Sequence, residues 1–419
     1  MLGALRNAWR IPDLRRKIIY TAILLGVARI GAYVPVPGVD AAGLAEQLGL
    51  DSGNIFGLMD LFTGGALSRF TLFSMGVGPY ITASIIIQLL ALVIPKLEQM
   101  IKEDQKVSAK FTRYGTVVLA LIQAFATTMM ARNWGVVTNQ NPLTPFLIII
   151  SLVAGTSFLM WLGEKISEKG IGNGISMLIF IGIVAEIPSN VRNVVLALRA
   201  GAINIIGVLV YVVVTVLLIA GIVLVTEGQR RIPVQYAKRV VGRRMYGGQS
   251  THIPLRVNQA GVIPVIFASS ILTFPLTLAQ FIPAVGALER WIGYGSIGYI
   301  ILYVGMIIFF TYFYTAVTFN PQEIADNMKK NGGFVPGLRP GRPTAEYMER
   351  VLARITLPGA VFLAIIAVMP FVISAVTRIP QNILSLGGTG MIIMVGVALD
   401  TMKQIESHLL LRHYEGFLS

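Results

Sequence analysis

Gly76-Val77-Gly78-Pro79-Tyr80-Ile81-Thr82-Ala83-Ser84-Ile85-Ile86 and Gly261-Val262-Ile263-Pro264-Val265-Ile266-Phe267-Ala268-Ser269-Ser270-Ile271 follow one pattern, G-V-x-P-x-I-x-A-S-x-I. The two stretches fall in the second and the seventh of ten apolar runs. Five spans apart, they cross a membrane in opposite directions. The chain therefore reads as two five-span halves in inverted topology, related by a pseudo-two-fold axis in the membrane plane. Spans two and seven then face each other across the interior. Pro79 and Pro264 remove backbone hydrogen bonds and are expected to permit bending there. A fainter echo joins Gly172-Asn173-Gly174 to Gly388-Thr389-Gly390.

The ten apolar runs are 18–34, 70–94, 114–131, 143–162, 174–187, 202–226, 258–282, 297–319, 356–376 and 383–399. Hydrophobic residues make up 55% of the 419 residues and charged ones 13%, against about a quarter charged in soluble domains. Lipid is the solvent such a surface requires. In lipid the backbone must satisfy its own hydrogen bonds, which makes the spans helices. The expected fold is an all-α membrane protein of ten transmembrane helices, arranged as two inverted five-helix halves around a central pore. The halves are expected at 1–187 and 188–419.

Most of the 34 Lys and Arg residues fall in alternate segments: the N-tail, 94–113, 163–173, 227–257, 320–355 and the C-tail. With ten spans these all share one side, and the positive-inside rule makes that side, and both termini, cytoplasmic. Residues 1–11 read as a short interfacial helix before an uncleaved first span.

The chain has no Cys and three His, so thiolate metal sites and disulfides are absent. No phosphate-cradling G-x-x-x-x-G-K-[ST] loop occurs. Charges inside the spans are few. Arg29 is expected to snorkel to the headgroups, and Glu186 lies near the end of span five. Coupled carriers place such groups at the midplane. The protein is therefore expected to offer a path rather than a reaction. Segment 54–69 is apolar on one side but too short to cross. It reads equally as an interfacial helix or as a re-entrant stopper.

Phe62-Thr-Gly-Gly-Ala-Leu-Ser-Arg69, Pro79-Tyr-Ile-Thr-Ala-Ser-Ile-Ile-Ile-Gln88, Gly170-Ile-Gly-Asn-Gly-Ile-Ser176, Gly228-Gln-Arg-Arg231, Gln249-Ser-Thr-His-Ile-Pro-Leu255 and Phe334-Val-Pro-Gly-Leu-Arg-Pro-Gly341, in this order, resemble the SecY family of protein-conducting channels. The resemblance covers essentially the whole chain. It implies a pore ring of Val77, Ile81, Ile175, Ile179, Ile266 and Ile393. Segment 54–67 would be a plug, with Ile55, Phe56, Leu58, Met59, Leu61 and Phe62. A lateral gate between spans two and seven would carry Thr82, Gln88, Asn258, Ser270 and Phe274, the first three hydrogen-bonding when it is shut. The long loops 227–257 and 320–355, taken as non-helical, would dock partners through Arg243, Arg244 and Arg339.

The family also implies SecE, SecG, the SecA motor ATPase, the ribosome, signal sequences, translocating polypeptides and membrane lipids as partners. It implies a bacterial cytoplasmic membrane location, no covalent chemistry and no cofactor. The rival reading is an inverted-repeat secondary transporter for a small solute.

Overall fold

In the computed structural model, residues 9, 11–40, 43, 55–138, 141–236, 239–241, 244–246, 250–279, 291, 293–377 and 387–415 are described. The expected interfacial helix over 1–11 lies almost wholly outside them.

Ten long helices answer the ten apolar runs one to one among these residues. They are α1 (Pro12–Gly31), α3 (Gly78–Val93), α5 (Gln105–Asn133), α6 (Leu143–Lys169), α7 (Gly174–Arg199), α8 (Ile205–Glu227), α9 (Ile263–Ala279), α10 (Ile297–Thr318), α12 (Arg342–Thr377) and α13 (Gly388–Glu415). Between them lie three short helices, α2 (Ile55–Thr63), α4 (Pro95–Glu103) and α11 (Pro321–Lys330).

Six of the long helices are long and apolar enough to cross a membrane on their own, or seven if α3 and α4 count as one bent span. The other three have identifiable reasons for falling short. Helix α1 opens on Arg15, Arg16 and Lys17, α9 has only 17 residues, and α13 carries Asp400 and Lys403. Helix α3 has 16 residues, about 24 Å of helix. That is short of a hydrocarbon core of roughly 30 Å.

The reason is the proline of the repeat. Pro79 lies in the first turn of α3, and Pro264 is the second residue of α9. A proline there costs no hydrogen bond, because the first N–H groups of a helix have no partner in it. The prolines thus start these helices instead of bending them mid-span. Residues 72–77 ahead of α3 are turns, and residues 70–72 are tied to the stretch after α1 by Val36 N–H to the Phe70 carbonyl (3.0 Å) and Leu72 N–H to the Val34 carbonyl (3.0 Å).

The repeat is also visible in the backbone. Gly76 and Gly261 both take positive φ, 56° and 64°, a region that only glycine enters without strain. Ile81 N–H donates to Val77 (3.1 Å), and Ile266 N–H donates to Val262 (3.3 Å). The fainter echo is not matched position for position, since the third residue of one triplet and the first of the other begin their helices. Gly174 opens α7 and Gly388 opens α13. A methyl group on Gly174 would strike the Gly163 carbonyl of α6, and one on Gly388 would strike the Ile366 carbonyl of α12.

Helices α1 to α7 pack among themselves, as do α8 to α13, and the two sets meet at two seams, α3 with α9 and α7 with α13. Both seams join symmetry mates. Helix α7 runs on through Pro188 to Arg199, so residue 187, the expected end of the first half, lies inside a helix.

The long loops are not irregular, and in this the structure departs from a purely helical fold. Strands β1 (Gln229–Tyr236), β4 (Ser250–Arg256) and β5 (Gly333–Phe334) form an antiparallel sheet in the order β4-β1-β5. β2 (Arg239–Val241) pairs with β3 (Arg244–Tyr246). Ile232 and Val234 of β1 pack with Leu255, Met328 of α11, and Met348 and Leu352 of α12. Alternation of Ile232 and Val234 with exposed neighbours is the strand signature. Flanking arginines hid it from a reading based on hydropathy.

Candidate functional site

Two spaces meet at the middle of the molecule. A cavity of about 70 Å³ is lined by Val77, Ile81, Ile179, Ile266 and Ile393, with Met59 and Phe62 of α2 on one side and Thr82 and Ser270 at the α3–α9 seam. A funnel of about 720 Å³ is lined by Ile81, Ile175, Ile179 and Ile266, with Gln88, Arg113, Glu164 and Tyr314. Ile81, Ile179 and Ile266 line both, so these three side chains form the partition. The smaller space has room for a water or two. All three isoleucines are nearly inaccessible to solvent, and Ile393 is wholly so.

Five of the six expected ring residues therefore line one cavity. Ile175 does not. It lies one helical turn away in the funnel wall, half-buried, with its side chain directed at Gly163 of α6. Met75, Thr63, Gln123 and Thr273 also line the cavity. Thr63 lies in the quoted Phe62–Arg69 motif and Gln123 is a polar residue inside an apolar run, so both carried a signal; Met75 and Thr273 carried none.

The seam is closed by apolar packing rather than by the expected hydrogen bonds. Thr82 Oγ1 donates to the Gly78 carbonyl in its own helix (3.1 Å), and Gln88 Nε2 donates to Ser84 Oγ (3.0 Å), again within α3. Asn258 is buried before the start of α9, and its Oδ1 has no partner. The hydroxyl proton of Thr82 and one amide proton of Gln88 are thus spent within α3 rather than across the seam. The Phe274 side chain lies outside the described residues.

Segment 55–63 is helical and packs on α7. Glycines make the slot. A methyl group on Gly182 would lie 3.1 Å from the Phe62 carbonyl, and one on Gly390 would lie 3.4 Å from Leu61. Of the expected plug residues, Met59 and Phe62 face the cavity and Leu61 faces α13. The side chains of Ile55, Phe56 and Leu58 lie outside the described residues.

Arg29 corrects its expected role. It does not snorkel. Its Nη1 donates to the Gly64 carbonyl at the end of α2 (3.1 Å). A carbonyl freed by the left-handed Gly64-Gly65 turn (φ 65° and 77°) is a better partner for a half-buried guanidinium than a distant headgroup. Around that turn, the Arg69 guanidinium sits 4.4 Å from the Tyr33 ring centroid, and Asp60 Oδ1 accepts from Ser68 N–H (2.9 Å). A methyl group on Gly65 would strike Glu186. Burial pushes the Asp60 carboxyl above the usual carboxylate value, and the nearby Glu186 charge adds to the shift. The signal available in sequence was the scarcity of such charges near apolar runs.

Of the expected docking residues, Arg339 is exposed on the turn between β5 and α12. Arg244 lies on β3 with its side chain not described, and Arg243 is outside the described residues. Among the described residues no cluster of His, Asp or Glu could hold a metal ion.

The family model for SecY matches residues 71–402. The protein translocase subunit SecY of Mycobacterium tuberculosis (strain ATCC 25618 / H37Rv) is 47% identical over the full length of both chains. That of Thermotoga maritima is 46% identical, covering 100% of this chain and 98% of the relative. Among solved structures, one described as a protein conducting channel superposes with a TM-score of 0.67 at 21% identity, covering 93% of this chain and 91% of the other. Sec61 in the canine ribosome-channel complex from the endoplasmic reticulum gives 0.62 at 20% identity, covering 93% and 91%. The chain is a multi-pass membrane protein and belongs to the SecY family.

Proposed function

We propose that this protein is a channel that moves unfolded polypeptides across a bacterial cytoplasmic membrane and releases apolar segments sideways into lipid. The observation that supports it most directly is the partition of Ile81, Ile179 and Ile266 between a small plugged cavity and a wide funnel. A ring of branched aliphatic side chains closes around a passing chain without binding it, and excludes ions by dewetting. Val77 and Ile393 complete the ring on the plug side, and Ile175 guides the chain from the funnel. Met59, Leu61 and Phe62, with Ile55, Phe56 and Leu58, form the plug.

In this reading the two halves, α1–α7 and α8–α13, part at the α3–α9 seam. Thr82, Gln88, Asn258, Ser270 and Phe274 border that gate. With apolar packing as its main closure, an arriving apolar signal sequence exchanges like for like. Both termini and the sheet are cytoplasmic. Arg243, Arg244 and Arg339 dock the SecA motor or the ribosome, whose RNA phosphates suit arginine. SecE clamps the halves and SecG attends them. The energy comes from these partners, and the chain itself makes and breaks no covalent bonds.

The test is a photo-crosslinker placed in turn at Ile81, Ile179 and Ile266, with a secretory chain arrested in transit. Crosslinks from all three positions are expected. Labelling confined to lipid-facing positions would remove the transverse pore.

A further inference from the structure

Helix α3 does not end at the membrane surface by unwinding. It breaks at Ile94, and α4 leaves at 115° to it. A helix that turns through more than a right angle at the end of a span lies across the membrane plane and dips back towards the bilayer. Pro95 starts α4 with no N–H to lose, so a single residue, Ile94, separates α4 from the gate helix.

Helix α4 is two-faced. Ile94, Leu97, Met100 and Ile101 fall on one side at helical spacing, and Lys96, Gln99, Lys102 and Glu103 on the other. The apolar side is only partly covered by protein. Ile94 and Met100 are exposed, Leu97 and Ile101 are half-buried, and none of the four belongs to a core cluster. The contrast is α11, also short and amphipathic, whose Ala325 and Met328 are buried against the sheet.

The partly covered face is continuous with lipid-facing side chains on both neighbours, Leu92 and Val93 on α3 and Phe111 and Tyr114 on α5. Stretch 95–113 carries Lys96, Lys102, Lys106, Lys110 and Arg113 against Glu98, Glu103 and Asp104. Arg113 is engaged with Glu164 (2.8 Å), Asp104 caps α5 through Lys106 N–H (2.8 Å), and Glu98 is engaged as well.

We propose that α4 is a membrane-surface helix seated in an anionic headgroup layer, and that through Ile94 it braces the tilt of the gate helix α3. The acyl chains cover Ile94, Leu97, Met100 and Ile101. Lys96 and Lys102 supply positive charge on the polar side for the phosphates to attract. An anionic surface attracts each such lysine by about fivefold in affinity. Only the bracing of a gate rests on the channel reading. The seat in the headgroups stands without it.

The experiment uses the full chain with Met100→Cys, the sole thiol in a protein without cysteine, labelled with an environment-sensitive fluorophore. The protein is reconstituted in vesicles of phosphatidylethanolamine with either phosphatidylcholine or phosphatidylglycerol. Lipids brominated near the headgroup end of the chains are expected to quench the label, more strongly with phosphatidylglycerol. Lys96→Gln with Lys102→Gln should reduce that difference about fivefold per charge removed. Equal quenching in both lipids, or quenching by aqueous iodide alone, overturns the proposal. So does a label shielded only when a soluble partner is added, since α4 would then be a protein-docking helix. If the depth result holds while signal-sequence crosslinking at the gate is the same in both lipids, the bracing half fails and the channel reading is untouched.

Discussion

Ile81 and Ile266 occupy one position in two helices that are mates in the inverted repeat. Each sits two residues past a proline in the first turn, and each donates its N–H to the carbonyl of the valine four residues earlier, Val77 at 3.1 Å and Val262 at 3.3 Å. Both side chains line both central spaces. A symmetric pair of this kind places two aliphatic groups at the same depth without any long-range signal in the chain.

Replacing Ile266 or Ile393 with Asn should loosen the closed state by about 2 kcal/mol, the cost of a buried amide with no partner. Ion leak through proteoliposomes should rise, and chains with weakened signal sequences should be exported. Unchanged leak in both variants would remove these residues from the ring.

Arg29→Gln should free the end of the plug helix. The bond from a charged donor to the Gly64 carbonyl (3.1 Å) contributes about 1.5–3 kcal/mol. A cysteine pair bridging α2 and α7 should then form a disulfide more slowly than in the parent, because the plug spends more time away from its seat. An unaltered rate would return Arg29 to a passive role.

In the proposed closed state Asp60 is buried, and burial raises its carboxyl above the ordinary value of 3.8. A carboxyl with a raised value in the closed state favours that state when protonated. Its contribution is complete below 3.8 and is lost as pH rises through the raised value. Leak should therefore fall as the plug side is acidified through that window. Glu186 of α7, Arg29, Tyr33 and Arg69 face the same turn, so Asp60→Asn is the comparison that isolates the effect. A response of equal size in that variant would assign it to another group.

Gly174→Ala should disrupt the start of span five, since its methyl group meets the Gly163 carbonyl, whereas Gly26→Ala meets nothing within 4 Å. The first should cost about 1–3 kcal/mol through backbone displacement and the second should be near neutral. Thermal unfolding in detergent separates them.

Arg339→Glu should impair motor-driven export more than insertion of apolar segments, because the side chain is exposed at the sheet and far from the ring. Equal loss of both activities, measured in the same vesicles, would argue against a docking role.

The sequence by itself determined the ten spans, their alternating basic connections and the inverted repeat. Each of these is written in local composition or in a pattern short enough to compare directly. Hydropathy alone could not show that Pro79 and Pro264 begin helices, because a proline in an apolar run reads the same at an end as in the middle. It also could not show the sheet, since β1 hides its alternation among arginines. Only the tertiary structure decided that Ile175 stands in the funnel and that Thr82 and Gln88 bond within their own helix. It also paired Arg29 with a carbonyl 35 residues away. Those choices depend on which backbone atoms are left without partners once the helices have packed, and packing joins residues that no local pattern connects.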